Sequence, residues 1–340
     1  MKLLVTGGAG FIGSNFIHYW LKKYPKDFII NIDALKYSGN LENHTDIEKN
    51  PNYKFVKVDI AKANDVETVV KQGGIDVIVN FAAQTHVDRA LYYSYEFIES
   101  NVIGVKNLLE AAKLHGVKRY HQISTDEVYG DLPLFSKEKF KETTPLLPRN
   151  EYAATKAAAE HLVMAYFHTH KLPVTISNCT NNIGPNQYPE KFLPLAITNI
   201  LEGKKVPLYG SGKYVRDWLY VLDHCRGIDL VIHKGKVGES YIMGSDHTEI
   251  TNIALLKLLL KQMGRGEDLI EHVTDRPGHD RKYAVDWSKI KKLGWRPIYS
   301  LEESLNLTVK WYTENPSWWK KIKSGEFRKH FEITYKKAND

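Results

Sequence analysis

The chain has 340 residues, of which 43% are hydrophobic and 26% charged, a composition typical of globular proteins and unlike that of disordered chains. Its net charge of +7 allows nucleic acid, a membrane surface or an anionic small molecule as partner. The lysines are spread along the chain, and no apolar run reaches the roughly 18 residues of a membrane-spanning helix. We therefore expect neither a nucleic-acid nor a membrane partner, while an anionic substrate remains open.

The two cysteines, Cys179 and Cys225, have neither the C-x-x-C spacing nor the nearby histidines of a structural metal site. We expect no metal, and two isolated thiols fit a reducing compartment. The first residues are too rich in glycine for a signal peptide. These features together predict a cytoplasmic protein.

Strand-like and helix-like segments alternate from the first residue. Repeated strand–helix alternation implies right-handed crossovers and a parallel sheet with helices on both faces. The sequence thus predicts a Rossmann-type, doubly wound α/β fold. The predicted strands are 2–6, 28–33, 53–60, 76–83, 118–124 and 172–178, and the predicted helices are 11–24, 97–116 and 151–170.

The first loop, "VTGGAGFIGS", carries Gly7, Gly10 and Gly13 between the first strand and the first helix. That context is typical of a dinucleotide site, because glycine allows a tight turn and close approach of the backbone to a pyrophosphate. The start of the helix, at Phe11 and Ile12, supplies N–H donors and a positive dipole end. A plain glycine turn is the less favoured interpretation.

The second strand indicates which dinucleotide binds. Asp33 lies about 20 residues beyond the loop, where a carboxylate binds ribose hydroxyls and repels a 2′-phosphate. We therefore predict NAD rather than NADP, although Lys36 would favour the opposite choice. Further cofactor contacts are predicted at the ends of the third and fourth strands, at Asp59, Ile60, Ala82 and Ala83.

Tyr152 and Lys156 lie one helical turn apart in the predicted helix 151–170, so their side chains share a face. A cationic lysine near a phenol favours the phenolate and lowers its pKa. The pair is then a candidate base for an alcohol or sugar hydroxyl, beside the nicotinamide. The alternative is an exposed helix pair that arises by chance.

The stretch "STDEVYG" follows the predicted strand 118–124 and contains Thr125, Asp126 and Glu127. One interpretation is a turn followed by a helix cap. The other is an active site, because adjacent carboxylates push their pKa values apart and can serve as one acid and one base.

Beyond Asn181 the regular alternation of predicted strands and helices ends. Prolines cluster at Pro185, Pro189, Pro194 and Pro207, and the segments shorten. We predict a dinucleotide-binding domain over residues 1–180 that includes the Tyr/Lys pair. Residues 181–340 are predicted to form mainly a smaller substrate-binding lobe, with some chain returning to the sheet and with helices at 220–235 and 252–264.

The chain resembles the extended short-chain dehydrogenase/reductases from "VTGGAGFIGS" through "YAATK" to "DRPGHDRKY". Within them it is most similar to the dTDP-glucose 4,6-dehydratases, on "STDEVYG", "NNIGPNQYPEKFLP" and "VRDWLYVLDH". Nucleotide-sugar epimerases share the glycine loop and the Tyr/Lys pair. They usually have small hydroxyl residues where this sequence has Asp126 and Glu127.

The resemblance implies an activity and a role for each candidate catalytic residue. Tyr152, with Lys156, deprotonates the sugar 4-hydroxyl as hydride moves from C4 to NAD⁺, and Thr125 hydrogen-bonds that oxygen. Glu127 then removes the C5 proton, and Asp126 protonates the departing C6 hydroxyl. Water leaves and the hydride returns to C6, so dTDP-glucose becomes dTDP-4-keto-6-deoxyglucose on a retained NAD.

The resemblance also implies contacts with the nucleotide-sugar substrate. Asn182 is expected at the cofactor, and an arginine suits a diphosphate because its planar fork gives bidentate bonds. The implied substrate-binding residues are Thr85, Thr125, Asn181, Lys191, Phe192, Pro207, Leu208, Tyr209, Arg216, Asn252, Arg276 and His279.

Three positions depart from the pattern of the resembled family, at Gln84, Glu151 and Ile183. They leave other hexose substrates open, UDP-glucose above all. A nucleotide-sugar 4-epimerase and a non-catalytic binding protein that keeps the pocket are further alternatives. The resemblance finally implies a homodimer that pairs the helices at 93–116 and 152–170 in a four-helix bundle.

Overall fold

The computed structural model describes residues 1–90, 92–246, 249–275 and 278–324. Within these residues a seven-stranded sheet has the order β11-β6-β5-β4-β1-β2-β3, and all its neighbours are parallel. The predicted Rossmann-type fold is confirmed. Its strands are β1 (Lys2–Thr6), β2 (Phe28–Asp33), β3 (Tyr53–Lys57), β4 (Val77–Asn80), β5 (Arg119–Thr125), β6 (Val174–Cys179) and β11 (Glu239–Met243).

Helices cover both faces of the sheet, and alternate side chains of one strand reach opposite layers. Leu3 and Val5 of β1 pack in one core with the first and eighth helices, whereas Leu4 packs in the other core with the second, fifth and sixth. The covering helices are α1 (Phe11–Lys23) and α8 (Val221–Lys234) on one face and α2 (Ala63–Gly73), α5 (Gly104–Leu114) and α6 (Glu151–His170) on the other. Helices α3 (Val87–Ala90), α4 (Ser94–Ile98) and α7 (Phe192–Leu201) lie outside these two cores.

The predicted single helix 97–116 is wrong in detail. A π-helical segment, Glu99–Ile103, separates α4 from α5. Buried Asn101 lies in this segment, where its side chain accepts from Gln84 N at 2.8 Å and donates to Gln84 O at 3.0 Å. Hydrogen bonds with another part of the chain therefore accompany the local change from α to π geometry.

The chain beyond residue 180 divides between two places. Strand β11 and helix α8 join the sheet and its outer layer. Most of the rest forms a third core. Its elements are α7, β7 (Asn181–Ile183), β8 (Val206–Tyr209), β10 (Trp218–Tyr220), β12 (Ile250–Thr251), β13 (Ile270–Val273), α9 (Asn252–Gln262), α11 (Leu301–Glu314) and α12 (Pro316–Ser324). Strand β9 (Val215–Arg216) pairs with β12, and α10 (Ser288–Lys292) packs in the same core as α1 and α8 through Ile290.

Short 3₁₀ helices occur at Leu41–His44, Asp126–Tyr129 and Glu267–Leu269. The second follows β5 directly and carries two candidate catalytic carboxylates. Among the described helices, none combines the length and apolar character needed to cross a bilayer.

Candidate active site

A cavity of about 400 Å³ lies at the carboxyl ends of the sheet strands. Its size is within the range of small-molecule sites in proteins. Every candidate site residue that the structure describes lines this cavity. Arg276, the remaining candidate, lies outside the described residues.

Glycines bring the backbone of the first loop against the fourth strand. Gly7 has a φ of +65°, and a Cβ there would lie 2.6 Å from the Ala82 Cα. Gly10 precedes α1 and provides no side-chain cap, and the first turn of α1 contains no acidic residue. The N–H groups at Phe11 and Ile12 are therefore suited to bind an anionic group such as a pyrophosphate.

Asp33 is held at the end of β2 by backbone donors. Ala9 N donates to Oδ2 at 3.0 Å and Leu35 N donates to Oδ1 at 2.8 Å. Each carboxylate oxygen accepts more than one hydrogen bond, so both can also accept from ribose hydroxyls. The backbone bonds fix the direction in which this carboxylate faces.

Lys36 forms an ion pair with Asp59, with 2.8 Å between Nζ and Oδ2. The positive charge of Lys36 is therefore balanced by the Asp59 carboxylate. This pairing weakens the argument from sequence that Lys36 would attract a 2′-phosphate. The first loop has no room for a Cβ at Gly7, the start of α1 is uncapped, and backbone donors orient Asp33. Together these three features fit NAD.

The Tyr/Lys pair is buried on the inner face of α6. Asn150 caps this helix, since its Oδ1 accepts from Ala153 N at 2.8 Å. Tyr152 is 7% exposed and Lys156 5% exposed, so the pair is not an exposed helix pair. Lys156 Nζ donates to the carbonyl oxygen of Ile123 at 2.7 Å.

The sequence predicts that Lys156 lowers the pKa of Tyr152, whereas in the structure that pKa is raised. Burial raises the pKa of Tyr152 well above its usual value, and the Glu127 carboxylate acts in the same direction. Burial also lowers the pKa of Lys156 to about 8. Desolvation and nearby carboxylates therefore outweigh the lysine, which makes its hydrogen bond to the backbone.

The turn after β5 is both a cap and part of the cavity wall. Thr125 Oγ1 accepts from Glu127 N at 3.3 Å, which caps the 3₁₀ helix that starts at Asp126. Asp126 is 2% exposed, and its Oδ2 has no hydrogen-bond partner among the described residues. Burial, followed by the charge of Glu127, raises the pKa of Asp126 well above its usual value. Its surroundings therefore favour the protonated form of this carboxyl, as a proton donor requires.

Glu127 is half-buried and is contacted by two long-range donors. Asn150 Nδ2 and Tyr283 Oη each lie 3.5 Å from its Oε2. Tyr283 also donates to Asp280 Oδ2 at 2.5 Å, and the Arg216 guanidinium lies 4.3 Å from the centre of its ring. Glu127 thus faces the cavity with two polar contacts behind it.

Several predicted substrate residues are oriented by other parts of the chain. Lys191 Nζ donates to Thr85 O at 2.7 Å, which joins two candidates across the cavity. Tyr209 Oη donates to Asp88 Oδ2 at 3.1 Å. Arg216 is 6% exposed and donates to Asp280 O at 2.7 Å. Its predicted diphosphate contact stays a prediction.

Tyr283, Glu190 and Cys179 are among the cavity residues that the sequence arguments missed. Glu190 accepts a hydrogen bond from Tyr37, and burial raises its pKa to about 7. Tyr283 and Glu190 lie inside the quoted motifs "DRPGHDRKY" and "NNIGPNQYPEKFLP", so the motifs contained the signal. Their side-chain positions depend on how the later segments fold back over β5.

Comparison with known proteins agrees with this geometry. Residues 4–308 match the family model described as GDP-mannose 4,6 dehydratase. A dTDP-glucose 4,6-dehydratase from Neisseria meningitidis is 44% identical over 96% of this chain and 97% of its own length. The chain belongs to the dTDP-glucose 4,6-dehydratase family.

Solved structures of this family superpose on nearly the whole chain. The dTDP-glucose 4,6-dehydratase from Bacillus anthracis, in complex with NAD, has a TM-score of 0.89 at 49% identity and covers 95% of this chain and 99% of its own. The enzyme from Streptomyces venezuelae, with NAD and TYD bound, has a TM-score of 0.91 at 43% identity, with coverage of 95% and 100%. UDP-glucose 4-epimerases match in fold at 28–30% identity.

Proposed function

We propose that the chain is an NAD-dependent hydro-lyase that converts dTDP-glucose into dTDP-4-keto-6-deoxyglucose and water. One observation carries the proposal: a buried Asp126, whose pKa is raised by burial and by Glu127, shares a cavity with the adjacent Glu127 and with Tyr152. Elimination of water needs one proton donor and one proton acceptor, and this pair supplies both. Family membership and the greater similarity to dehydratases than to epimerases support the same activity.

The glycine loop, the start of α1 and Asp33 would hold NAD, with Asp59, Ile60, Ala82 and Ala83 beside its adenine half. When bound, NAD supplies the hydride acceptor and donor and the positive charge of its oxidised nicotinamide. Lys156 would share with that charge the task of stabilising a Tyr152 phenolate, against the effect of burial.

In the first step Tyr152 accepts the proton of the sugar 4-hydroxyl, and Thr125 hydrogen-bonds the same oxygen. Oxidation leaves a ketone at C4, which acidifies the proton on C5. Glu127 takes that C5 proton. Asp126 gives its proton to the C6 hydroxyl, which leaves as water. The electrons left at C5 then form the C5–C6 double bond. The returning hydride adds to C6 as C5 regains a proton, and NAD⁺ is restored.

The nucleotide would be held mainly by residues beyond 180, and the cofactor by residues 1–180. Support comes from the cavity, which lies between the sheet and the third core. The residues proposed to contact the substrate are Thr85, Thr125, Asn181, Lys191, Phe192, Pro207, Leu208, Tyr209, Arg216, Asn252, Arg276 and His279, with Asn182 at the cofactor.

A homodimer is also proposed, through α4, α5 and α6. Support comes from large side chains that the outer surface of this region leaves exposed, at Tyr95, Ile98 and Ile103. Light scattering should give twice the mass of one chain. We further propose a cytoplasmic location, since Cys179 and Cys225 are both free thiols.

Product mass tests the proposed reaction. The protein is incubated with dTDP-glucose and, separately, UDP-glucose, and the products are analysed by mass spectrometry. Loss of one water from dTDP-glucose supports the proposal, and faster loss from UDP-glucose would correct the nucleotide. Unchanged mass with inverted C4 would indicate an epimerase, and tight binding without turnover would indicate a non-catalytic protein.

A further inference from the structure

Glu160 is a buried carboxyl that the reaction described above does not use. It lies on α6 one turn beyond Lys156, and i, i+4 residues share a helix face. Its side chain is 5% exposed. A carboxyl taken out of water is costly unless it is hydrogen-bonded or opposite a positive charge, so its place behind the active site needs a reason.

The hydrogen bonds of Glu160 lead to the catalytic turn. Ser124 Oγ donates to Oε1, and Ser124 is the residue immediately before Thr125. Asn178 Nδ2, on β6, donates to the same Oε1 at 2.6 Å and to the carbonyl oxygen of Thr125 at 3.3 Å. Glu160 thereby joins the carboxyl ends of β5 and β6 at the point where the Thr125–Glu127 turn begins.

Glu160 also faces Lys156 electrostatically. The Lys156 ammonium donates to Ile123 O, a neutral acceptor, in a buried site. The carboxylate form of Glu160 raises the pKa of Lys156, against the larger effect of burial, which lowers that pKa to about 8. Burial also raises the pKa of Glu160 itself to about 7, so this effect is fully present only above that pH. Other titratable groups on the elements around this pair are Tyr120, Asp126, Tyr129, Tyr152 and Cys179.

We propose that Glu160 is a positioning residue that keeps Lys156 charged and fixes the turn that carries Thr125, Asp126 and Glu127. This inference rests on the proposed function, in which a charged Lys156 stabilises the Tyr152 phenolate. Glu160 does not contact the substrate in this scheme. It acts on the reaction through Lys156 and through the ends of the two strands.

The first test measures the charge of Lys156 without any substrate. Lysine-selective ¹³C NMR titration of the full chain follows Lys156, assigned by its absence in Lys156→Met. In Glu160→Gln the titration midpoint should fall by about one pH unit, because the counter-charge is lost. Glu110→Gln is the control, since Glu110 is a carboxylate of neighbouring α5 that accepts a hydrogen bond from Tyr166 of α6. An unchanged midpoint in Glu160→Gln would overturn the proposal.

The second test measures turnover of dTDP-glucose against pH. In Glu160→Gln we expect kcat at pH 8 to fall about tenfold, with KM changed less than about threefold and the alkaline limb moved to lower pH. Glu160→Asp keeps the charge, so its Lys156 midpoint and alkaline limb should stay those of the wild type. A loss of kcat equal at every pH, or a shifted midpoint in Glu160→Asp, would show a structural role alone. Wild-type protein that turns over no nucleotide-hexose would refute the proposed function, while the NMR titration still decides the charge on Lys156.

Discussion

The two ends of the cavity, one for the cofactor and one for the chemical steps, are formed by different kinds of groups. The cofactor end consists largely of backbone: a glycine with φ of +65°, an uncapped helix start, and a carboxylate fixed by Ala9 N and Leu35 N. The chemical end consists of buried ionisable side chains, Asp126, Tyr152 and Lys156, whose pKa values burial shifts strongly. The first end depends on space and backbone direction, and the second depends on protonation.

This difference explains what each end tolerates. Backbone N–H groups do not titrate near neutral pH, so the affinity of the cofactor end should vary little with pH while the Asp33 carboxyl, whose pKa burial raises, stays ionised. At the chemical end, a change of one charge alters the pKa values of its neighbours, because the site is poorly solvated. Substitutions that preserve shape should therefore damage only the chemical end, and added volume should damage only the cofactor end.

The largest effect is expected from Glu127→Gln, which keeps shape and removes the proposed base. Dehydration of dTDP-glucose should slow by about 10²–10⁴-fold. Bound NAD⁺ should still be reduced on substrate addition, because Tyr152 and Lys156 are intact, so the nicotinamide absorbance change should persist. Glu138→Gln, in the exposed part of the loop after β5, is the control. A variant that dehydrates at the normal rate would show that Glu127 is not the base.

Gly7→Ala tests added volume at the cofactor end. Its Cβ would lie 2.6 Å from backbone atoms of Ala82, in a left-handed conformation that costs a residue other than glycine about 1 kcal/mol. NAD affinity, measured by calorimetry, should fall about 100-fold or more. Gly116→Ala shares the positive φ, at +64°, but its Cβ meets nothing within 4 Å. That control should lose about 1 kcal/mol of stability and no affinity, and equal losses in both variants would refute the packing argument.

Asp33→Ala should weaken NAD binding by about tenfold, since it removes the carboxylate proposed to accept from the ribose hydroxyls. It also leaves Ala9 N and Leu35 N without their carboxylate partner. The preference for NAD over NADP should narrow, because the charge that repels a 2′-phosphate is gone. Titration of both dinucleotides into the variant and into Asp65→Ala, an α2 control, measures this. An unchanged ratio of NAD to NADP affinity would show that residues other than Asp33 determine the preference for NAD.

The last prediction concerns stability rather than turnover or affinity. His121 is fully buried between Thr175 and Ser177, and burial lowers its pKa from 6.5 to about 3. Between these two pH values His121 binds a proton in the unfolded chain but not in the folded chain. The free energy of unfolding therefore decreases as pH falls from 6.5 towards 3. One such group contributes about 1.4 kcal/mol per pH unit in this window.

Denaturant titrations of His121→Gln between pH 7 and 5 should accordingly show a shallower pH dependence than the wild type. The difference between the two proteins isolates the contribution of this histidine from those of other buried groups. His168→Gln, at the exposed end of α6, should keep the wild-type slope. Identical slopes in all three proteins would contradict the assignment.

Local patterns predicted most elements because their causes are local. Helix 151–170 is found as Glu151–His170, and apolar runs such as 28–33 are found as strands. The break at Glu99–Ile103 was not predicted, because Asn101 binds the backbone of Gln84, 17 residues away. The contacts of Tyr283 with Glu127 were missed for the same reason, since 156 residues separate them.

The sequence by itself determined the alternation of elements, the glycine loop with its acidic partner, and the identity of the candidate catalytic groups. Spacing and residue type are enough for these, because a helical turn or a strand end is specified within a few residues. Only the tertiary structure decided the directions of the pKa shifts. Burial raises the pKa values of Asp126 and Tyr152, and the fold sets the buried Glu160 behind Lys156. Desolvation is a property of everything that surrounds a group, and most of those atoms come from distant parts of the chain.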